Sequence, residues 1–307
     1  MAAARLILLA LLAAAAPAAA PWEAPQQLVK LADGRRLNLY CTGQGSPTVI
    51  FESGFGGTIW TWARTQPLVA ATNRACAYDR AGLGFSDPGP MPRDGAATAA
   101  DLAQLLAAAR IAPPYVLVGH SAGAMSMRLF ADAHPREVAG MVLVDPSIEG
   151  QFDGQEAAVA TRVARYEVCA VAAEARGLPS TEPGLRHCDF KPIARLSAQM
   201  NANFAAERLN PSYWRTQASE YASIAGATSA ELRRGRQSYG DLPLVVLTAG
   251  QSAATSPGWV AAHVALAARS TRGEQRTIAG ASHNIMNDDP AAVATAIRDV
   301  SGAPRSP

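Results

Sequence analysis

The sequence predicts an α/β fold: a mostly parallel, eight-stranded sheet with helices on both faces and an inserted helical cap. Three observations predict it. Short apolar, β-branched runs alternate with alanine-rich stretches of helical spacing along most of the chain. The alternation breaks once, between Asp145 and Leu242, where only helical patterns occur. One apolar run, "YVLVGH", passes into a helical stretch through Gly119-His120-Ser121-Ala122-Gly123, a corner with a serine between two glycines.

Bulk composition agrees with this class. A chain of 307 residues that is 49% hydrophobic can bury one large core, or a core with a sizeable insertion, and is not a disordered chain. A formal net charge of +2, evenly spread, leaves no electrostatic footprint for nucleic acid.

From the amino terminus, Arg5 precedes an apolar run, Leu6 to Ala16, and small residues follow to Ala20, which is the layout of a secretory signal peptide over about 1–20. Pro21 disfavours a cut directly after Ala20. A retained membrane anchor is the alternative, but the run is shorter than the ~20 apolar residues that a spanning helix needs. The expectation is export to the periplasm or medium, with no stable membrane insertion after signal removal.

Strand patterns come next. Residues 28–41 alternate on both sides of Asp33-Gly34, a hairpin-turn dipeptide. Runs at 48–53, 74–79, 115–120, 140–145, 243–250 and 275–280 supply the other six strands, and helical stretches at 96–110, 123–134, 258–269 and 290–300 lie between them. The stretch after Asp145 is too long for a connection and carries helical patterns at 156–176 and 197–209, so it reads as a cap. The boundaries expected are a core at 25–146 and 241–303 and a cap at 147–240. Aromatic residues of the cap, among them Phe204, Tyr213 and Trp214, are read first as packing.

Export makes disulfides available to Cys41, Cys76, Cys169 and Cys188. Three pairings are possible. The favoured one joins cysteines of the same region, Cys41 with Cys76 and Cys169 with Cys188. A metal site at His187-Cys188-Asp189 is disfavoured, because no second pair of ligands stands at zinc-like spacing. No cofactor is expected; the glycines of 54–57 match neither dinucleotide-binding nor P-loop spacing.

A Gly-x-Ser-x-Gly corner between strand and helix holds the serine on a sharp turn above the sheet edge, where it faces substrate. Ser121 is therefore the candidate nucleophile, and the Ala122 N–H, at the start of the helix, a candidate donor to a developing oxyanion. A serine hydroxyl needs a base. Of the five histidines, His283 follows the last strand pattern on a polar loop at the carboxyl edge of the sheet, where ligands bind in open α/β folds. His120, His134, His187 and His263 are read as structural.

These segments together, with "ESGFGG" (52–57), "YDRAGLGFSD" (78–87), "VLVDP" (142–146) and "GASHNIM" (280–286), resemble the α/β-hydrolase superfamily, in its cap-containing, serine-nucleophile form, over about residues 28–301. The resemblance implies that the loop after the third strand carries a second oxyanion donor, here the Phe55 N–H. It implies that the second strand lies beside the fourth, which supports Cys41 with Cys76. Asp79, Arg80 and Ser86 match a segment that mainly fixes a loop.

One feature departs from the pattern. Many relatives carry the triad acid after the seventh strand, and here residues 248–259, "TAGQSAATSPGW", contain no carboxylate. Some members place it after the sixth strand, where this chain has Asp145, and Asp145 keeps the order Ser, Asp, His. Glu149 is a weaker substitute. Asp241 precedes its strand and Glu274 follows a further helix.

The reading is a Ser121-His283-Asp145 hydrolase of a small acyl substrate, with ester cleavage first and lactone, amide or peptide-like bonds behind it. A serine at the nucleophile position disfavours the dehalogenase and epoxide-hydrolase chemistries of the superfamily. The rivals are a lyase or cofactor-free peroxidase on the same fold, and a catalytically silent binding protein. An apolar substrate group is expected to be enclosed above Ser121, with Trp60 or Trp62 near the entrance.

Overall fold

In the computed structural model, which describes residues 20–302, eight strands form one sheet in the order β1-β2-β4-β3-β5-β6-β7-β8. The signal-peptide expectation falls outside the described residues, Ala20 excepted. β1 (Gln27–Lys30) and β2 (Arg36–Thr42) form the hairpin at Asp33-Gly34, and β2 pairs antiparallel with β4 (Ala75–Tyr78). β3 (Thr48–Glu52), β4, β5 (Tyr115–His120), β6 (Val138–Val144), β7 (Leu244–Ala249) and β8 (Gly273–Ile278) run parallel. The expected class is therefore the observed one.

Period-two side chains build a core on each face. Ile50 and Leu117 face one side, with Leu102, Leu105 and Leu106 of α2 (Gly95–Ala108) and Met127 and Phe130 of α3 (Gly123–Ala133). Val49, Phe51, Val116 and Val118 face the other, with Val69 of α1 (Gln66–Ala70) and Val293 and Ile297 of α11 (Pro290–Ser301). Trp62 is fully buried there against Phe51, so it is a core residue and does not stand at an entrance.

Four helices lie between β6 and β7: α4 (Glu156–Glu174), α5 (Ala198–Arg208), α6 (Pro211–Ala225) and α7 (Ala227–Arg234). Their own small core surrounds the Cys169–Cys188 disulfide with Tyr213 and Trp214. Ile224 and Leu232 pack on Met125, with Phe55 and Ala122 beside them, so the inserted helices meet the sheet at the Ser121 corner. Cys41 and Cys76 face each other in the β2/β4 register and are bonded, Cα to Cα 4.1 Å. Helices α8 (Gly250–Thr255), α9 (Pro257–Ala267) and α10 (Ile285–Asp288) follow β7 and β8. No helix among the described residues is long and apolar enough to cross a membrane.

Candidate active site

Ser121 follows β5 directly and has φ +50°, a backbone conformation that a non-glycine residue adopts only when its surroundings enforce it. The surroundings are close. A Cβ at Gly119 would stand 2.6 Å from the Ala124 Cα, and one at Gly123 2.4 Å from the Ser53 carbonyl oxygen. Glycine at both positions lets α3 start directly behind the strand, and Ser121 N–H is tied to the Val144 carbonyl at 3.0 Å.

The loop after β3 closes over the corner. A Cβ at Gly54 would lie 3.1 Å from the Ser121 Cβ and 2.8 Å from His120 Nδ1, so this loop touches the serine. Arg80, 5% exposed, fixes it: the guanidinium donates to the Ser53 carbonyl (2.6 Å) and the Gly54 carbonyl (2.9 Å) while pairing with Glu52 and with Glu220 of α6. Asp79 accepts from Ile59 N–H and Phe85 N–H, and Ser86 donates to the Asp79 carbonyl, so the Asp79-Arg80-Ser86 segment does hold loops. Among the described residues neither Phe55 N–H nor Ala122 N–H is taken up by another backbone group.

His283 lies on the loop between β8 and α10. Its Nε2 is 2.9 Å from Ser121 Oγ and its Nδ1 2.6 Å from Asp145 Oδ2. A carboxylate only accepts, so Nδ1 carries the proton and Nε2 is free to accept from the serine. Asp145 is fully buried and accepts three further bonds, from Ala249 N–H (3.0 Å), Ser252 Oγ (2.8 Å) and Trp259 Nε1 (3.2 Å). Burial pushes its carboxyl up, but the bonds from His283, Ala249 and Ser252 outweigh that and hold it below the usual aspartate value. It is ionised at neutral pH. Glu149 is committed elsewhere, to Arg128 and Arg269.

Four residues support the triad through contacts that the sequence does not reveal, two of them, His120 and His263, in the structural roles expected of them. Ser252 and Trp259 lie in the segment after β7 that lacks a carboxylate; where relatives often place the acid, this chain places donors to it. His263, on α9, has Nε2 2.9 Å from the Pro146 carbonyl and Nδ1 2.8 Å from Thr248 Oγ1, so it pins the turn that presents Asp145. His120 meets the His283 carbonyl through Nε2 at 2.9 Å; burial and the neighbouring His283 press its pKa down to about 3, so it is a neutral donor. The signal for these was faint: each is a single polar residue whose partner is more than a dozen positions away.

Access differs from expectation on one side. The His283 side chain is 45% exposed, so the inserted helices leave the Ser-His pair open to solvent there. On the other side the rings of Phe55, Tyr166, Tyr221 and Phe152 form a chain with centroids 5.5 to 5.9 Å apart along Phe152–Tyr221–Phe55–Tyr166. Trp60 packs edge-on to Phe204.

The profile of the alpha/beta hydrolase family matches residues 49–296. The uncharacterized protein YqjL of Bacillus subtilis is 27% identical over 265 residues, covering 84% of this chain and 85% of YqjL. An AB hydrolase superfamily protein of Gibberella zeae is 36% identical over 107 residues, 34% of this chain and 33% of that protein, so this chain spans only part of the length of some curated relatives. Among solved structures, epoxide hydrolase CorEH superposes with TM-score 0.66 at 17% identity, covering 88% of this chain and 96% of that one. A hydrolase from Pseudomonas aeruginosa superposes with TM-score 0.62 at 21% identity, covering 90% and 98%. At these identities the likeness to solved structures is one of fold.

Proposed function

The chain belongs to the alpha/beta hydrolase family, and on that premise we propose that it is an exported serine hydrolase that cleaves a carboxylic ester through an acyl-enzyme. The observation that carries the reading is the unbroken hydrogen-bond chain from buried Asp145 through His283 to Ser121. His283 Nε2 takes the hydroxyl proton as Ser121 Oγ attacks the carbonyl carbon, and Asp145 stabilises the imidazolium that forms. The Phe55 and Ala122 N–H groups donate to the oxyanion. His283 then returns the proton to the leaving alcohol, activates a water in its place, and the acid is released.

The fold alone does not choose among acyl transfer, epoxide opening and other reactions. The nucleophile does. A serine whose base and acid are in place forms an ester intermediate that water can cleave. Two disulfides support export, since such bonds persist in oxidising compartments. The inserted helices serve as the cap that meets a small-molecule acyl substrate.

Intact-mass detection after treatment with a fluorophosphonate tests the reading. One adduct is expected on the wild type, none on Ser121→Ala, and slow labelling of His283→Ala. A folded wild type that takes no adduct overturns the acyl-enzyme and favours a binding protein.

A further inference from the structure

Helix α5 covers a second cavity. Met200, Phe204 and Glu207, which share one face of α5, line a cavity of about 200 Å³ together with Trp22, Asp79 and Phe85. The polar contacts around it hold both walls in place. Glu23 fastens the turn that carries Trp22 to the inserted segment: its carboxylate accepts from Ser197 Oγ at 2.5 Å, and its carbonyl accepts from Asn203 Nδ2 at 2.8 Å. On the opposite wall, Gly84 N–H donates to Glu207 Oε1 at 2.7 Å and Phe85 N–H donates to Asp79 Oδ2 at 3.1 Å. A Cβ at Gly84 would stand 2.4 Å from Asp79 Oδ2, so glycine lets this loop lie against Asp79 while its N–H reaches Glu207.

The walls select a ligand by charge. Three aromatic rings and two carboxylates line the cavity, and among the described residues no lysine, arginine or histidine does. The two carboxylates are not equal. Asp79 accepts from Asn38 Nδ2, Ile59 N–H and Phe85 N–H, whereas Glu207 accepts from Gly84 N–H alone. Arg208, next to Glu207 in the chain, does not line the cavity; its guanidinium lies over the rings of Phe190, Tyr213 and Trp214 at 5.5 to 5.7 Å. Burial, with the charge of Asp79 added, pushes the Glu207 carboxyl up to about 7. A cation in the cavity would compensate that charge, and aromatic faces attract a cation through their quadrupole.

We propose that this cavity is a binding site for a small alkylammonium ion, with Glu207 as its counter-ion and Trp22, Phe85 and Phe204 as the rings against which its alkyl groups pack. Alkyl groups suit the rings and Met200, which offer no hydrogen bond that a bare ammonium would need, and the volume limits the ligand to a few carbons. The inference goes beyond the hydrolase reading, since none of Ser121, Asp145 and His283 lines the cavity.

Isothermal titration calorimetry of the purified protein tests it, at low salt and about pH 8, where Glu207 is mostly ionised. The probes are choline and its uncharged isostere 3,3-dimethylbutan-1-ol, each titrated into the wild type, Glu207→Gln and Phe204→Leu, with a thermal melt of every protein. Choline is expected to bind the wild type roughly tenfold more tightly than the alcohol. In Glu207→Gln that preference should fall to about one while the alcohol binds as before. In Phe204→Leu, which keeps the carboxylate and an apolar side chain, choline should lose about threefold and the alcohol less. No binding of choline, equal binding of the two probes, or a preference that survives in Glu207→Gln overturns the inference; equal binding assigns the cavity to neutral apolar ligands. If Glu207→Gln does not fold, Phe204→Leu decides, and an unchanged preference there overturns the inference. Binding is read without turnover, so a failure here leaves the Ser121 reading standing, and a missing fluorophosphonate adduct leaves this one standing.

Discussion

The two sides of the Ser121 corner are built on opposite principles. On the sheet side the groups around the triad are committed: Asp145 accepts four bonds, His283 uses both ring nitrogens, and His120 and His263 brace the loops that carry them. On the side of the inserted helices the contacts are aromatic, and among the described residues Thr216 Oγ1 and Gln217 Nε2 are buried without hydrogen-bond partners. The contrast follows from what each side has to do. Proton transfer needs groups held to a fraction of an ångström before substrate arrives, whereas apolar contact is non-directional and sets no such demand.

Four changes break or sharpen this contrast. The largest effect is expected from Asp145→Asn, which keeps the shape but removes the charge and lets His283 adopt the wrong tautomer. The acylation rate should fall roughly 10⁴-fold, read as the rate of fluorophosphonate labelling. A normal rate would move the acid elsewhere and end the claim that the groups around the triad are committed.

Next comes the link between the two sides. Arg80 pairs with Glu220 of α6 while holding the Ser53 and Gly54 carbonyls, all of it buried. Removing one partner of a buried pair leaves a charge uncompensated, so Glu220→Ala should lower stability by about 3 kcal/mol in urea unfolding and also slow labelling. Unchanged labelling would show that the two sides are independent.

The Cys169–Cys188 bond lies wholly within the insertion, tying α4 to the segment that precedes α5 across 19 positions. Replacing both cysteines by serine should lower stability by about 3 kcal/mol in the chain-entropy treatment, with labelling of Ser121 within about threefold of the wild type. A collapse of labelling would mean that the insertion helps to hold the catalytic geometry.

At neutral pH the smallest effect concerns His120, whose contribution to stability changes only in acid. Its folded pKa, about 3, lies below that of the unfolded chain, about 6.5, so below pH 6.5 the unfolded state binds the extra proton. Stability therefore falls as pH falls through that window, by up to about 1.4 kcal/mol per pH unit from this residue. The difference between the wild type and His120→Gln isolates it from other buried acids: the slope of unfolding free energy against pH between 3.5 and 6 should be shallower in the variant. Equal slopes would mean that His120 titrates in the folded protein as freely as in solution.

Much of this architecture was legible along the chain. Apolar periodicity gave the strands and helices because a side chain's face follows from its position within one element, and the glycines at 119 and 123 marked the corner because only they fit there. Chain order and loop position single out His283, whereas Asp145 follows from the resemblance to relatives with the acid after the sixth strand, supported by the order Ser, Asp, His. The sequence does not, by contrast, separate Trp60 from Trp62 as an entrance residue, because nothing local distinguishes a tryptophan that lines a cleft from one that packs on Phe51.

What the sequence by itself determined is the set of elements and the residue types at their ends, all consequences of short-range sterics and spacing. What only the tertiary structure decided is which polar groups meet: the donors Ser252 and Trp259 on Asp145, the His263 brace on Pro146, the Arg80–Glu220 link. Those contacts join residues up to 140 positions apart. A hydrogen bond depends on distances of tenths of an ångström that no local spacing encodes, and they are set only once the sheet and the inserted helices have packed.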